Sequence, residues 1–167
     1  MIRKASPFRA VYNKNPMDQE LAPVRSLLLK EGEASLATLE GEVPFASAVN
    51  FFFKAGSGEA LGEVYLFLSQ IARHAKNLGE NPNVSLLVVE AASKTPLPER
   101  KRVTLIGRAE AVTSDSEKKT VEPFYRRKFP FAEILFTLPD FQFYRVRTSA
   151  AHWIGGFGQI KNFQLTG

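Results

Sequence analysis

Six segments rich in β-branched and aromatic residues follow one another along the chain, and most are joined by short connections. The first two flank the sequence EGE at residues 40–42, which has the pattern of a hairpin turn. Short connections favour antiparallel pairing, and barrel closure removes sheet edges that would otherwise need protection. The sequence therefore predicts a mainly β fold, a six-stranded antiparallel barrel with flanking helices, in preference to a flat sheet covered by helices. The strands are expected at residues 33–40, 43–53, 63–68, 84–90, 101–112 and 141–153.

Two segments outside the strands have clear helical signals. Apolar residues recur at helical spacing over residues 18–32, with Pro23 expected in the first turn or so, where proline is tolerated. Ser114 and Glu117 form a capping-box pattern, and the helix that they start is expected to bend or restart at Pro123.

Length and composition fit one domain over residues 1–167, in which residues 1–16 form an N-terminal arm without a regular period. The chain has no cysteine, which excludes disulfides and thiolate chemistry. No apolar run approaches the roughly 20 residues of a membrane span, and the N-terminus has no apolar signal core. We therefore expect a cytoplasmic protein that does not associate with membranes.

The net charge of +5 raises the question of a nucleic-acid partner. Basic groups lie at residues 100–102 and 126–128, and Phe124, Tyr125 and Phe129 could stack on bases. These aromatic residues fall on a predicted helix, however, where the apolar ones are expected to face the core. We do not expect nucleic-acid binding.

Several common catalytic and metal-binding patterns are missing from the sequence. His74 and His152 have no histidine or cysteine partner at ligand spacing, so we expect no metal site. There is no G-x-S-x-G or Walker A pattern, and the glycines of residues 56–62 read as a hairpin connection. No catalytic residue stands out, so any catalysis is expected to belong to a bound cofactor.

The segment LSQIARHAKNLGENPNV, residues 68–84, predicts a short helix with Ser69 at its N-cap. Its first turns carry Arg73, His74 and Lys76, although a helix N-terminus favours negative charge. Backbone N–H groups, the Ser69 hydroxyl and the Arg73 fork would together suit a phosphate. The alternative is a surface helix whose long cationic side chains reach solvent.

Two other segments are candidates for ligand contact. The glycines of GGFG at residues 155–158 would let a ligand approach the backbone, and Phe157 could stack on a flat ring. Small side chains in ASAVN at residues 46–50 would leave room for a planar ring. A flexible turn explains the first segment equally well, and ordinary barrel packing explains the second.

The sequence resembles the pyridoxamine 5'-phosphate oxidase-like family of FMN-binding split β-barrels. The resemblance runs from about Leu27 to Phe157 and rests on GEASLATLEGEVPFASAVNF, LSQIARHAKNLGENPNVSLLV, RVTLIGRAEAV and HWIGGFGQ. The ending IGGFG is similar to that of the haem-utilisation branch.

This resemblance implies a homodimer with two FMN molecules in clefts between the subunits. It places the strand around residues 46–50 beside the flavin ring and ribityl chain, and the helix start at the phosphate. It places Arg102 against the flavin and GGFG over or near the ring. The implied cofactor-binding residues are Ala46, Ser47, Val49, Asn50, Ser69, Arg73, His74, Asn77, Arg102, Gly155, Gly156 and Phe157.

The sequence departs from the family pattern in ways that limit the expected activity. Pyridoxamine phosphate oxidases have arginine where Ser47 aligns and lysine where His74 aligns, and they end in an arginine-containing substrate signature that this chain lacks. Pyridoxamine phosphate oxidation is therefore not expected. Haem-utilisation members carry an additional domain or extension that is absent from this sequence, which argues against haem degradation.

Two functional hypotheses follow. The first is an FMN-dependent oxidoreductase that acts on an unidentified small molecule. The alternative is a protein that binds FMN or haem, for haem utilisation or storage, without oxidase turnover. In the haem version, titration would produce a Soret band, with His74 or His152 as the axial ligand.

Overall fold

The computed structural model of the chain describes residues 16–91 and 94–165. The predicted arm over residues 1–16 lies outside them, except that Pro16 is the first residue of a helix. The helices are α1 (Pro16–Lys30), α2 (Arg73–Glu80) and α3 (Asp115–Lys128), with 3-10 helices at Leu97–Glu99 and Pro130–Thr137. The strands are β1 (Glu33–Glu40), β2 (Val43–Ala55), β3 (Gly62–Ser69), β4 (Asn83–Val89), β5 (Arg102–Ala111), β6 (Phe141–Ile154) and β7 (Ile160–Gln164). None of the helices in this part of the chain is long and apolar enough to cross a membrane.

The strands form a closed antiparallel barrel, which confirms the predicted fold class. The strand order is β3-β2-β1-β4-β5-β6-β7, and an additional pairing of β3 with β6 closes the first six strands into a ring. The seventh strand extends the sheet beyond β6 and comes from the tail that follows GGFG. The sequence prediction contained no strand there. One reason is that Phe163 is the only residue of β7 that is buried, so alternation in this segment is weak.

The barrel interior is filled by the inward side chains of the strands and by one face of α1. Leu21, Val24 and Leu28 of this helix are completely buried against the strands. The predicted helix is therefore confirmed, but Pro23 lies in its interior rather than in its first turn. Pro23 is exposed, so the backbone carbonyl that lacks a helical donor there can be hydrated.

A second apolar cluster lies outside the barrel, where α3 and the 3-10 helix at Pro130–Thr137 cover β3 and the start of β6. Its buried members include Tyr65, Phe67, Tyr125 and Phe143. The predicted cap of α3 is confirmed, since the Ser114 hydroxyl accepts a hydrogen bond from the Glu117 backbone N–H at 3.4 Å. The helix continues unbroken through Pro123 and does not restart there.

The N-terminus of α2 differs from the prediction. The helix begins at Arg73, its N-cap is Ala72, and no side chain caps it. Ser69 is the last residue of β3, and its hydroxyl donates a hydrogen bond to the Asp140 carboxylate. The hydroxyl therefore ties the end of β3 to the segment before β6, and the predicted N-cap role is wrong.

Candidate functional site

The outward side chains of six neighbouring strands form a continuous surface, which we call the open face. Its residues lie directly opposite one another in two rows, and none of them is buried, whereas their inward neighbours Leu36, Leu86 and Leu105 are completely buried. The rows are Ala48, Ser35, Leu87, Thr104, His152 and Asn162, and Ala46, Ala37, Ser85, Ile106, Ala150 and Gln164.

Small side chains and two exposed apolar ones determine the character of the open face. Alanine and serine occupy both rows on β2 and β1, and Leu87 and Ile106 are 39% and 49% exposed in the middle. Five of these six strands belong to the closed barrel, so the rows curve around its outside. The face therefore offers a shallow, convex surface on which small polar side chains alternate with apolar ones.

A cavity of about 210 Å³ adjoins this face at the start of α2. It brings together residues from two of the predicted segments, because Val49 and Asn50 of β2 line it together with Ser69 and His74. Aromatic side chains close its other side. Its complete lining is Ala48, Val49, Asn50, Phe67, Leu68, Ser69, Ala72, His74, Tyr125, Leu135 and Phe141.

His74 is the main polar side chain of this cavity. Its Nδ1 lies 3.3 Å from the Ser47 hydroxyl, which links two of the predicted site residues. Its Nε2 is buried and has no hydrogen-bond partner. Burial lowers the pKa of the imidazole below its ordinary value, so the ring is neutral at pH 7. A neutral ring with an unsatisfied nitrogen is well suited to a polar ligand group in the cavity.

The lowered pKa of His74 predicts a pH dependence of stability. The unfolded chain, with a histidine pKa of about 6.5, binds the proton more readily than the folded chain. Above a pH equal to the unfolded pKa, the burial of His74 should therefore not lower the free energy of unfolding. Below it, the free energy of unfolding should fall as the pH drops toward the lower pKa of the folded chain. Urea unfolding between pH 7.5 and 5.5 measures this change. His74→Gln should remove this part of the dependence, and an unchanged slope in that variant would contradict the assignment.

The other predicted phosphate ligands have partners within the chain. The Arg73 guanidinium forms an ion pair with Glu40, lies 5.4 Å from the centre of the Phe45 ring, and is not part of the cavity lining. Asn77 is buried and donates a hydrogen bond to the Thr38 hydroxyl at 2.9 Å. Pairing with Glu40 offsets the unfavourable interaction between the Arg73 charge and the positive N-terminal end of α2. This pairing reduces the need for a bound anion there.

Arg102 and GGFG lie at the far side of the open face and not in the cavity. Arg102 is opposite Ile154, the last residue before GGFG, and its Nη1 donates to the backbone carbonyls of Leu97 and Arg100 at 3.0 and 3.2 Å. Phe157 is 89% exposed. Gly156 has a φ of +117°, which favours glycine at this turn. The predicted residues therefore form two separate groups, one around the start of α2 and one around the end of β6.

One polar pair on the open face was not predicted from the sequence. His152 Nδ1 lies 2.7 Å from the Asn162 side-chain oxygen, across the pairing of β6 with β7. No signal in the sequence links these residues, because the contact requires the seventh strand. Among residues 16–91 and 94–165, no cluster of three or more histidine, aspartate or glutamate residues could hold a metal ion.

The fold is that of the split-barrel class that the sequence resembles. A family model described as "CREG, beta-barrel" matches residues 16–165, and the chain belongs to this family. A Listeria innocua protein provisionally described as a pyridoxamine 5'-phosphate oxidase aligns over 82% of the chain and 99% of its own, with a TM-score of 0.62 and 14% identity. This likeness confirms the predicted resemblance at the level of the fold.

The chain is also similar to haem proteins. It is 33% identical to HutZ of Vibrio cholerae, described as a heme oxygenase, over 106 residues that cover 62% of this chain and 59% of HutZ. The crystal structure of HutZ, there called a heme storage protein, aligns over 87% of this chain and 94% of its own, with a TM-score of 0.64 and 27% identity. A heme-binding protein from Mycobacterium smegmatis aligns over 98% of this chain and 60% of its own, with a TM-score of 0.75 and 24% identity.

Proposed function

We propose that this chain is a haem-binding protein, of the haem-utilisation or storage type, without oxidase turnover. The observation that carries the proposal is the 33% identity to HutZ over 106 residues. The sequence alignment spans about three fifths of HutZ, so the proposal extends haem binding to this chain but not oxygenase activity.

The open face supports this ligand by its chemistry. The cavity beside α2, at about 210 Å³, is smaller than the roughly 300–1,000 Å³ of pockets for drug-sized ligands. A porphyrin therefore does not fit in that cavity, and we assign it to the open face. Leu87 and Ile106 offer apolar contacts there, and His152 offers an imidazole. The single domain and the homodimer with the cofactor between subunits are parts of the same proposal, and the exposed apolar side chains of this face favour the dimer.

FMN is the second candidate, and the cavity beside α2 favours it. His74 has an unsatisfied buried Nε2 there, and the hydroxyl of Ser47 lies beside the same ring. These groups fit the phosphate end of a flavin, with the ring extending over the small side chains of β2. FMN would supply the electron-transfer chemistry of an oxidoreductase. This chain's residues would bind the phosphate and position the ring toward a small-molecule substrate.

Parallel titrations with ferric haem and with FMN test both candidates. We expect haem to produce a saturable Soret shift at one equivalent per chain. Haem at about 100 times its dissociation constant should add roughly 2.7 kcal/mol to the free energy of unfolding. Sedimentation of the same samples measures whether the chain is a dimer with and without ligand.

A pair of arginine substitutions locates the bound ligand. Ile106→Arg places a bulky cation among the apolar contacts of the open face, close to His152, and should weaken haem binding by at least about tenfold, or 1.4 kcal/mol. Ala111→Arg, at an exposed position at the end of β5, is the control and should bind haem normally. Saturable binding of FMN without binding of haem would replace the first candidate by the second. Binding of neither ligand would refute the proposal.

A further inference from the structure

His152 lies near the β7 end of the open face. It lies on β6, directly between Thr104 of β5 and Asn162 of β7, and is partly exposed. Its Nδ1 is 2.7 Å from Oδ1 of Asn162. An amide oxygen can only accept a hydrogen bond, so Nδ1 carries the ring proton and Nε2 retains a lone pair.

This arrangement matches the way proteins prepare histidine for iron. A metal-binding histidine almost always donates its other ring N–H to a carbonyl or carboxylate oxygen, which fixes the tautomer and the ring orientation. We propose that His152 binds haem iron through Nε2, with Asn162 as the residue that positions it. The inference rests on the proposed haem-binding function and assigns its axial ligand.

The surroundings of His152 suit a porphyrin. Ile106 lies on one side of it along the open face, and Ile160, which is 61% exposed, lies on the other. The loop that follows β6 carries Phe157, which is 89% exposed. Arg102, opposite Ile154 on the same face, offers a cation for a propionate. An apolar surface with a cation beside it complements an apolar ring that carries carboxylates.

The competing ligands in the described part of the chain are less suitable. His74 Nε2 is buried beside the cavity of about 210 Å³, which is too small for a porphyrin. Tyrosine binds iron as phenolate, and burial raises the pKa of Tyr65 and of Tyr125 well above the ordinary value. Tyr144 is buried, and the partly buried Met17 packs against the barrel core. His152, in contrast, is a partly exposed histidine on the open face.

Spectroscopy of the full chain titrated with ferric haem tests the assignment. The wild-type complex should have the absorption and resonance Raman bands of histidine-ligated iron. His152→Ala should lose these bands and bind haem at least about tenfold more weakly. Free imidazole added to His152→Ala should restore the histidine-type spectrum, and this rescue excludes a folding defect as the cause.

Two substitutions of Asn162 separate positioning from simple packing. Asn162→Ala removes the acceptor and should weaken haem binding by about 10–100-fold while His152 remains in place. Asn162→Asp keeps an acceptor with a negative charge, so it should retain ligation and make the ferric/ferrous potential more negative. A structural role alone would not move the potential.

The possible failures are distinguishable. If the wild type binds haem and His152→Ala keeps its spectrum, the ligand assignment is wrong and haem binding stands. Loss of the histidine bands in His74→Ala, with their retention in His152→Ala, would move the ligand to the cavity beside α2. If the wild type binds no haem, both proposals are wrong.

Discussion

Gly107→Ala is expected to lower the free energy of unfolding by about 3 kcal/mol, at the upper end of the cost of overpacking. Gly107 lies on β5 opposite Thr148, where the pairing with β6 shifts register past Ser149. A Cβ at this position would lie 2.1 Å from the carbonyl oxygen of Arg147 and 2.9 Å from its carbonyl carbon. Both atoms belong to the backbone, so relief requires β5 and β6 to separate locally, and these strands help to close the barrel.

Gly79→Ala is the matched control for this prediction. Gly79 is exposed within α2, and a Cβ there would meet nothing within 4 Å. Because alanine has the higher helix propensity, this substitution should stabilise the protein by roughly 0.5–1 kcal/mol. Urea unfolding of both variants at one pH should therefore give changes of opposite sign. A Gly107→Ala variant within about 0.5 kcal/mol of the wild type, the range of a neutral surface substitution, would contradict the tight approach of the two strands.

The barrel could be predicted from the sequence because its strands are defined by local patterns. β1 is a clear example, since it spans residues 33–40 as predicted and buries alternate residues Ala34, Leu36 and Thr38. The turn at residues 40–42 connects it to β2 in the expected antiparallel register. Short connections between such strands leave few topologies other than a closed antiparallel sheet.

Contacts between distant segments explain what could not be predicted. Ser69 and its partner Asp140 are 71 residues apart, so nothing local indicates that the hydroxyl is used in that contact rather than as a helix cap. Arg73 and Glu40 are 33 residues apart, and their ion pair gives the cations of α2 a partner that the local sequence does not reveal. The seventh strand is similar, because it is defined by pairing with β6 more than by its own alternation.

The candidate site was predicted in parts. The segments around Ala48 and His74 do meet at the cavity beside α2. The relation of these residues to Arg102 and GGFG depends on the registers of the intervening strands, which the sequence does not determine. The same registers place His152 in one row with Ala48, four strand pairings away in the sheet order. The two functional proposals differ in which end of this face holds the reactive part of the cofactor.

Phe67→Ala is expected to lower the free energy of unfolding by about 4 kcal/mol, as is usual for truncating a buried phenylalanine. Phe67 is 9% exposed and lies at the centre of the aromatic cluster outside the barrel. Its ring centre lies 4.3 Å from that of Phe136, 4.7 Å from that of Phe143 and 5.8 Å from that of Tyr125. These partners come from three different elements, so the truncation removes the contact that holds α3 and the following 3-10 helix against β3.

Phe131→Ala is the matched control, because Phe131 belongs to the same 3-10 helix and is 63% exposed. It has an edge contact with Phe129, with ring centres 5.8 Å apart. A substitution at such an exposed position should change the free energy of unfolding by about 0.5 kcal/mol or less. Denaturant unfolding of both variants measures the difference. Equal losses of unfolding free energy in the two variants would mean that the burial of a side chain in this cluster does not determine how much it stabilises the protein.

Phe67→Leu separates the two sources of stability in the cluster. Leucine retains much of the apolar volume but loses the ring contacts, which are worth about 0.5–1.5 kcal/mol per aromatic pair beyond area burial. If filling the space is the larger effect, Phe67→Leu should cost clearly less than Phe67→Ala. If the ring contacts are larger, the two variants should be similarly unstable. Four ring contacts meet at Phe67 within 6 Å, and the cavity beside α2 leaves room for imperfect packing. We therefore expect the loss in Phe67→Leu to reach about half of that in Phe67→Ala.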